Sequence, residues 1–244
     1  TRYFMRTPPN CSAWSSKDLR RLDTDGVISA NWKTQWEYAR DNIAYMDFCI
    51  AIAGGEGPVL EVAAGPGGGN LSPLLHIAPD LELVLNDIEP GITGRWQVYI
   101  DKEIPGHRVR FAAFDICLMP FDDAAFGCVS SSGGFGTMLG SHGAALKECA
   151  RVLYPRGLVY AHELALTESC ITNMPEVLRN ALVYHPWLFR HWDVLLAEAG
   201  LSLISIQSMG GRTLSPEESP LAADAAMFEA EIEVERVLMV ARKL

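Results

Sequence analysis

Residues 60–70 read LEVAAGPGGGN, an apolar run that carries one acidic residue, Glu61, and ends in glycines at 65, 67, 68 and 69. Glycine packs nothing and loses backbone entropy on folding, so such a cluster marks a place where a partner must approach the main chain closely. Two aspartates follow later apolar runs: Asp87 in LVLNDIEP, 22 residues after Gly65, and Asp115 in FAAFDICLMPF. A carboxylate offers two acceptor oxygens, which suits a vicinal diol such as that of a ribose. The alternative for both is turn or helix-cap duty, for which Asp is favoured. If the reaction needs a base, His162 and His142 are the candidates, with His162 preferred. For each, a hydrogen-bonded structural role is the alternative.

Three ligand classes use a glycine turn of this kind. A P-loop requires Lys and then Ser or Thr after its glycines, and no Lys follows here, so a triphosphate lacks its cation. A dinucleotide turn of form GxGxxG needs glycine at 70 or 72, where Asn70 and Ser72 stand. That leaves a nicotinamide-dependent oxidoreductase as a weakened rival. A ligand without phosphate, lying against bare backbone at Gly65 and Gly67, is the remaining class.

The elements that would position these residues alternate short β-rich runs with helical stretches, the pattern of βα units on a parallel sheet. Strands are predicted at 59–63, 81–86, 109–114, 128–132 and 158–162, with helices at 71–76, 91–103, 143–153 and 189–199, the last stopped by Gly200. Runs 201–207 and 232–241 alternate and close the chain as an antiparallel pair with no helix between them. The acidic residues Glu217, Glu218, Asp224, Glu229, Glu231, Glu233 and Glu235 read as a solvated face. Residues 31–53, with Trp32, Trp36, Ala39, Ile43 and Met46 at helical spacing, form either a helix packed on the sheet or an aromatic lid over a substrate pocket.

Composition narrows the partners. The chain has 244 residues, 49% of them hydrophobic, and a formal net charge of -10. Such a balance repels nucleic acid and anionic membrane surfaces. No apolar run is long enough to span a bilayer, and the first residues, TRYFMRTPPNC, lack a signal-peptide core, so the expected location is cytoplasmic. The six cysteines, Cys11, Cys49, Cys117, Cys128, Cys149 and Cys170, are scattered without metal-ligand spacing, and most of them read as small buried apolar residues.

LEVAAGPGGGN resembles the first motif of the class I S-adenosylmethionine-dependent methyltransferases, ExxxGxG at the head of the first strand, with Glu61, Gly65 and Gly67 in place. The family often has glycine where Ala63 stands. The resemblance runs over 57–244 and implies a Rossmann-like α/β fold: a seven-stranded, mostly parallel sheet with an antiparallel last strand and helices on both faces. Residues 1–56 would be a helical lid, and about 164–188 an insertion shaping the acceptor pocket. It further implies S-adenosylmethionine as cofactor, held by Glu61, Ala63, Gly65 and Gly67, with Glu61 either accepting hydrogen bonds from loop amides or lying near the ligand's ammonium group. Asp87 would take the ribose, with Ile88 against the adenine. Asp115 would meet the adenine amino group, Ile116 would lie beside the ring, and Ser131 would be a further cofactor-binding residue.

The acceptor would lie beyond strands four and five, near Gly133, Gly134 and Gly136, with Trp187, His185 and His191 as further lining or, for the tryptophan, core. A methyl transfer to oxygen or nitrogen of a small molecule or short peptide is the implied reaction. Nucleic-acid bases are disfavoured by the charge and by SSSGGFG where a base methylase carries an NPPY-like loop; TPPN at 7–10 precedes the sheet. The rivals are the oxidoreductase and a noncatalytic, cofactor-binding partner of another protein. The oligomeric state is open, a dimer being one candidate.

Overall fold

The computed structural model describes residues 24–138, 141–182, 186–217 and 220–244. Cys11, Trp14, His185, Glu218 and the TPPN segment lie outside the described residues. The chain runs α1 (Thr24–Asp41), α2 (Ile43–Ala53), β1 (Val59–Glu61), α3 (Leu71–Ile77), β2 (Leu83–Asp87), α4 (Pro90–Glu103), β3 (Val109–Ala113) and β4 (Phe126–Ser132). It continues through α5 (His142–Val152), β5 (Leu153–Leu166), α6 (Glu168–Asn173), α7 (Glu176–Ala181), α8 (Trp192–Glu198), β6 (Leu201–Leu214), α9 (Pro220–Ala226) and β7 (Ile232–Lys243). A short 3-10 turn at Phe135–Thr137 follows β4.

The seven strands form one sheet in the order β3-β2-β1-β4-β5-β7-β6. β1 to β5 are parallel, and β7 runs antiparallel to both β5 and β6. The order reverses between β1 and β4, which opens a crevice at their carboxyl ends, the place where open α/β sheets bind ligands. One face packs Leu60, Val129, Val159 and Ala161 against Leu146, Cys149, Trp192 and Leu196 of α5 and α8. The other packs Val59, Leu85, Cys128 and Tyr160 against Tyr45, Phe48, Leu71, Leu74 and Trp96 of α2, α3 and α4. This fits the expected fold, a Rossmann-like methyltransferase architecture.

The sequence pattern differs from the elements in four places. The expected N-terminal helix is two helices, because Asn42 turns to extended backbone and its side chain accepts a 3.2 Å bond from Tyr45 N, an N-cap. β5 is far longer than 158–162 and continues to Leu166 inside the expected insertion. Pro155 and Gly157 punctuate its first half and disguise it. α9 stands where no helix was expected between β6 and β7. Glu233 and Glu235 are not part of a merely solvated face: Glu235 accepts from Arg190 Nη1 at 2.7 Å and Glu233 from Thr167 Oγ1 at 3.0 Å.

Candidate functional site

The glycine turn is built by its neighbours. Gly65, Gly68 and Gly69 take φ of +59°, +78° and +56°, the left-handed region that L side chains rarely enter. A Cβ at Gly68 would lie 2.5 Å from the Trp96 ring. The indole in turn donates from Nε1 to Gly65 O at 3.0 Å. Ala63 also sits at φ +50°, a left-handed position that explains why glycine suits it and that an L-residue holds at about 1–2 kcal/mol.

Two buried carboxylates fix the loops at the head of the sheet. Successive serines of β4 face opposite sides. Ser130 donates to Glu61, and Ser131 donates to Glu163 at 3.4 Å. Glu61, fully buried, also accepts from Asn70 N at 3.0 Å and Asn70 Nδ2 at 3.1 Å, and Tyr45 Oη donates to Asn70 Oδ1 at 2.7 Å. Asn70, which broke the dinucleotide spacing, thus joins the turn to α2. Glu163 accepts from Phe135 N and Gly136 N, both at 3.1 Å, and so holds the turn after β4. Burial pushes both carboxyls up to about 7, partly offset by the hydrogen bonds they accept.

Between these loops lies a cleft of about 640 Å³. Its walls include Ala63, Gly65, Gly67, Asp87, Ile88, Asp115, Ile116, Ser132 and Gly133. Among the described residues no Lys, Arg or His lines it. Asp87 closes β2 and accepts from Gly65 N at 2.8 Å and Glu89 N at 2.9 Å. A carboxylate has about four lone-pair positions, so two remain for a ligand. Ile88 is half exposed into the cleft. Asp115 also caps its own turn through Cys117 N at 2.8 Å. Its loop is tied down by Arg151, which donates to Met119 O, Phe121 O and Glu148. From α1, Asn31 Nδ2 donates to Pro66 O at 2.8 Å and Gln35 stands over Gly67.

Four expected site residues do not line this cleft. Glu61 lies beneath the turn and acts on it through Asn70. Ser131 is turned to the opposite face by strand alternation, and its neighbour Ser132 takes the cleft position. His142 donates from Nε2 to Phe135 O at 2.8 Å, since a carbonyl can only accept, and its ring stacks on buried Trp187. His162 stands behind Ser132, its Nδ1 3.0 Å from Ser132 Oγ. Its ring lies against Tyr45 and Tyr38. Burial first, and the charge of Arg236 second, pull its pKa down to about 4. Trp187 is core, 1% exposed, and His191 sits at the start of α8.

Sequence reasoning missed Glu163 and Ser132. Both had a signal: alternation in LVYAHELAL puts Glu163 on the face of Val159, Ala161 and Ala165, an acid in an apolar row. Ser132 is the register partner of His162.

Residues 60–161 match a family model described as a methyltransferase domain. A Bacillus halodurans C-125 protein assigned to the methyltransferases superposes with a TM-score of 0.59 at 21% identity, covering 81% of this chain and 98% of its own. The geranyl diphosphate C-methyltransferase of Streptomyces coelicolor A3(2) gives 0.56 at 13% identity, with 83% and 77% covered. The (4+2)-cyclase SpnF gives 0.56 at 18%, with 82% of each chain covered. No curated protein sequence matches the chain. Residues 60–161, 102 of the 244, are thus similar to a methyltransferase domain, and the superposed structures share the fold of the chain.

Proposed function

We propose that this protein transfers a methyl group from S-adenosylmethionine to an oxygen or nitrogen of a small molecule or short peptide. What carries the reading is the cation-free cleft: a glycine turn facing two aspartates. A diphosphate would meet Asp87 and Asp115 with nothing to balance its charge, whereas an adenosyl sulfonium brings hydroxyls, an amino group and positive charge. This disfavours a nicotinamide dinucleotide. Ala63, Gly65 and Gly67 would border the amino-acid end of the donor. Asp87 would take the ribose hydroxyls, Ile88 and Ile116 the adenine faces, and Asp115 the adenine amino group.

When bound, the donor supplies an electrophilic methyl on sulfonium sulfur, whose carbon–sulfur bond breaks with the electron pair left on sulfur as the acceptor bond forms. Such a displacement demands alignment above all, and positioning can supply roughly 7–11 kcal/mol of a barrier. Ser132 and Gly133 border the cleft beside the acceptor side. A hydroxyl acceptor at Ser132 can pass its proton through Ser132 Oγ to His162 Nδ1. That ring is neutral at pH 7, yet burial makes it a weak base, so the proton leaves with methyl transfer rather than ahead of it.

The fold by itself does not fix the reaction, since one structural relative is named for a cyclisation. The test is a labelled-methyl assay over the small molecules and peptides of a cell extract, with the product identified by mass. A labelled product 14 mass units heavier than its precursor supports the reading, 14 being roughly the mass that a methyl replacing a hydrogen adds. Tight donor binding with no transfer to any component supports instead the noncatalytic partner. Chains of this acidity disfavour nucleic-acid acceptors, and no helix among the described residues is long and apolar enough to cross a membrane.

A further inference from the structure

Outside the lining of the donor cleft, on the far side of His162 from Ser132, stands a cation with no carboxylate partner among the described residues. The chain has 30 acidic residues against 20 Lys and Arg, so a basic side chain has carboxylates in ample supply. Arg108, Arg151 and Arg190 each take one, at Glu82, Glu148 and Glu235. Arg236 does not. Exposed on β7, it makes no ion pair among the described residues, and its guanidinium lies over the Tyr38 ring, 5.2 Å from the centroid. Its chain neighbour Glu235 is engaged elsewhere, with Arg190 and Ser208.

A second observation points to the same place. His162 is 6% exposed, and its Nε2 has no hydrogen-bond partner among the described residues. A buried ring nitrogen left unmatched forfeits about 1–3 kcal/mol and is rare. Tyr38 stacks on this ring as well, centroids 5.9 Å apart, so one tyrosine of α1 roofs both Arg236 and His162. Leu164 stands directly opposite Arg236 in the β5–β7 register and is 41% exposed. An apolar surface, a cation and an unmatched polar nitrogen therefore meet one hydrogen bond behind Ser132, which faces the donor cleft.

Resting on the proposed function above, we propose that the methyl acceptor is an organic anion, a carboxylate or a phosphate ester with an apolar body, seated on Arg236 with its body against Leu164 and Tyr38. An anion there accepts from His162 Nε2–H, which fixes the tautomer that leaves Nδ1 free to accept from Ser132. Burial, the larger cause of the histidine's lowered pKa, stays, and the anion offsets the smaller one, the Arg236 charge. The acceptor thereby improves the base it uses.

The full chain is given labelled donor and the small molecules of a cell extract, separated by ion exchange at neutral pH into anionic, neutral and cationic pools. Label is expected in the anionic pool. Prior phosphatase treatment abolishes it if the acceptor is a phosphate ester and spares it if it is a carboxylate. Arg236→Gln should lower kcat/KM for the labelled acceptor at least tenfold, chiefly through KM, and Arg236→Lys should recover part of the loss. The S-adenosylhomocysteine dissociation constant should not change in either variant. Label entering the neutral or cationic pool, or no pool while the donor product still binds, overturns the proposal, as does an Arg236→Gln enzyme at the wild-type rate. Failure of wild-type protein to bind S-adenosylhomocysteine would instead remove the donor reading beneath it.

Discussion

Replacing Glu163 by Gln should change how stability depends on pH, in a direction the structure sets. Glu163 is 2% exposed, and burial raises its carboxyl from 4.5 to about 7. A folded-state value above the unfolded one means the folded protein prefers the protonated acid. That contribution is complete below pH 4.5 and is lost as pH rises through 7. A rise from 4.5 to about 7 corresponds to roughly 3 kcal/mol. In a chain of this size that is on the order of 10 °C in melting temperature. Gln cannot ionise. It also loses one of the two amide bonds from Phe135 and Gly136, because its nitrogen accepts nothing, but this loss is the same at every pH. Glu61, whose charge adds to the rise at Glu163, titrates more easily in the variant and widens the difference in the same sense. The depressed His162 contributes stability above its unfolded pKa and loses it as pH falls through about 4, equally in both proteins, so it cancels. The assay is thermal unfolding of both proteins between pH 5 and 8. Wild type should lose most of that ~3 kcal/mol relative to Glu163→Gln across the window. Parallel curves would refute the claim that this carboxyl is held against ionisation.

Four further outcomes are expected. Gly67→Val should fold, because the nearest atom to a Cβ there is Gln35 Nε2 at 4.0 Å, and should bind no S-adenosylhomocysteine, because its branches enter the cleft; calorimetry on a folded variant decides. Gly68→Ala should be destabilised by about 1–3 kcal/mol in denaturant unfolding, since the new methyl meets Trp96 at 2.5 Å in a left-handed backbone; an unaltered midpoint would show that the indole moves freely. Asp87→Ala should weaken S-adenosylhomocysteine by tenfold or more and also lower stability, because Gly65 N and Glu89 N lose their acceptor; unchanged affinity would remove Asp87 from the ribose. His162→Ala should slow turnover with donor affinity intact, and a full-rate enzyme would show that Ser132 needs no support from it.

The parts of the site that were legible in the sequence are those fixed by local chemistry. Glycines at left-handed positions, aspartates at strand ends and apolar period-two runs each declare themselves within a few residues, so the turn at Gly65, Asp87, Asp115 and the parallel strands could be read directly. What could not be read depends on contacts distant in sequence. Glu163 holds its turn through Phe135 N and Gly136 N, 28 and 27 residues away in sequence. Whether Ser131 or Ser132 faces the cleft turns on a one-residue register that three consecutive serines do not reveal. His142 was a plausible base until Trp187, 45 residues on, covered its ring. The length of β5 was hidden because its outer half pairs with β7, 68 or more residues later.

An adenosyl sulfonium should enter the cleft, and a diphosphate should not. Titration calorimetry of the wild-type chain with S-adenosylhomocysteine and, separately, with NAD tests this most directly. Saturable one-to-one binding of the first, lost in Gly67→Val, and no heat from the second is the expected result. Tight NAD binding with S-adenosylhomocysteine silent would contradict it.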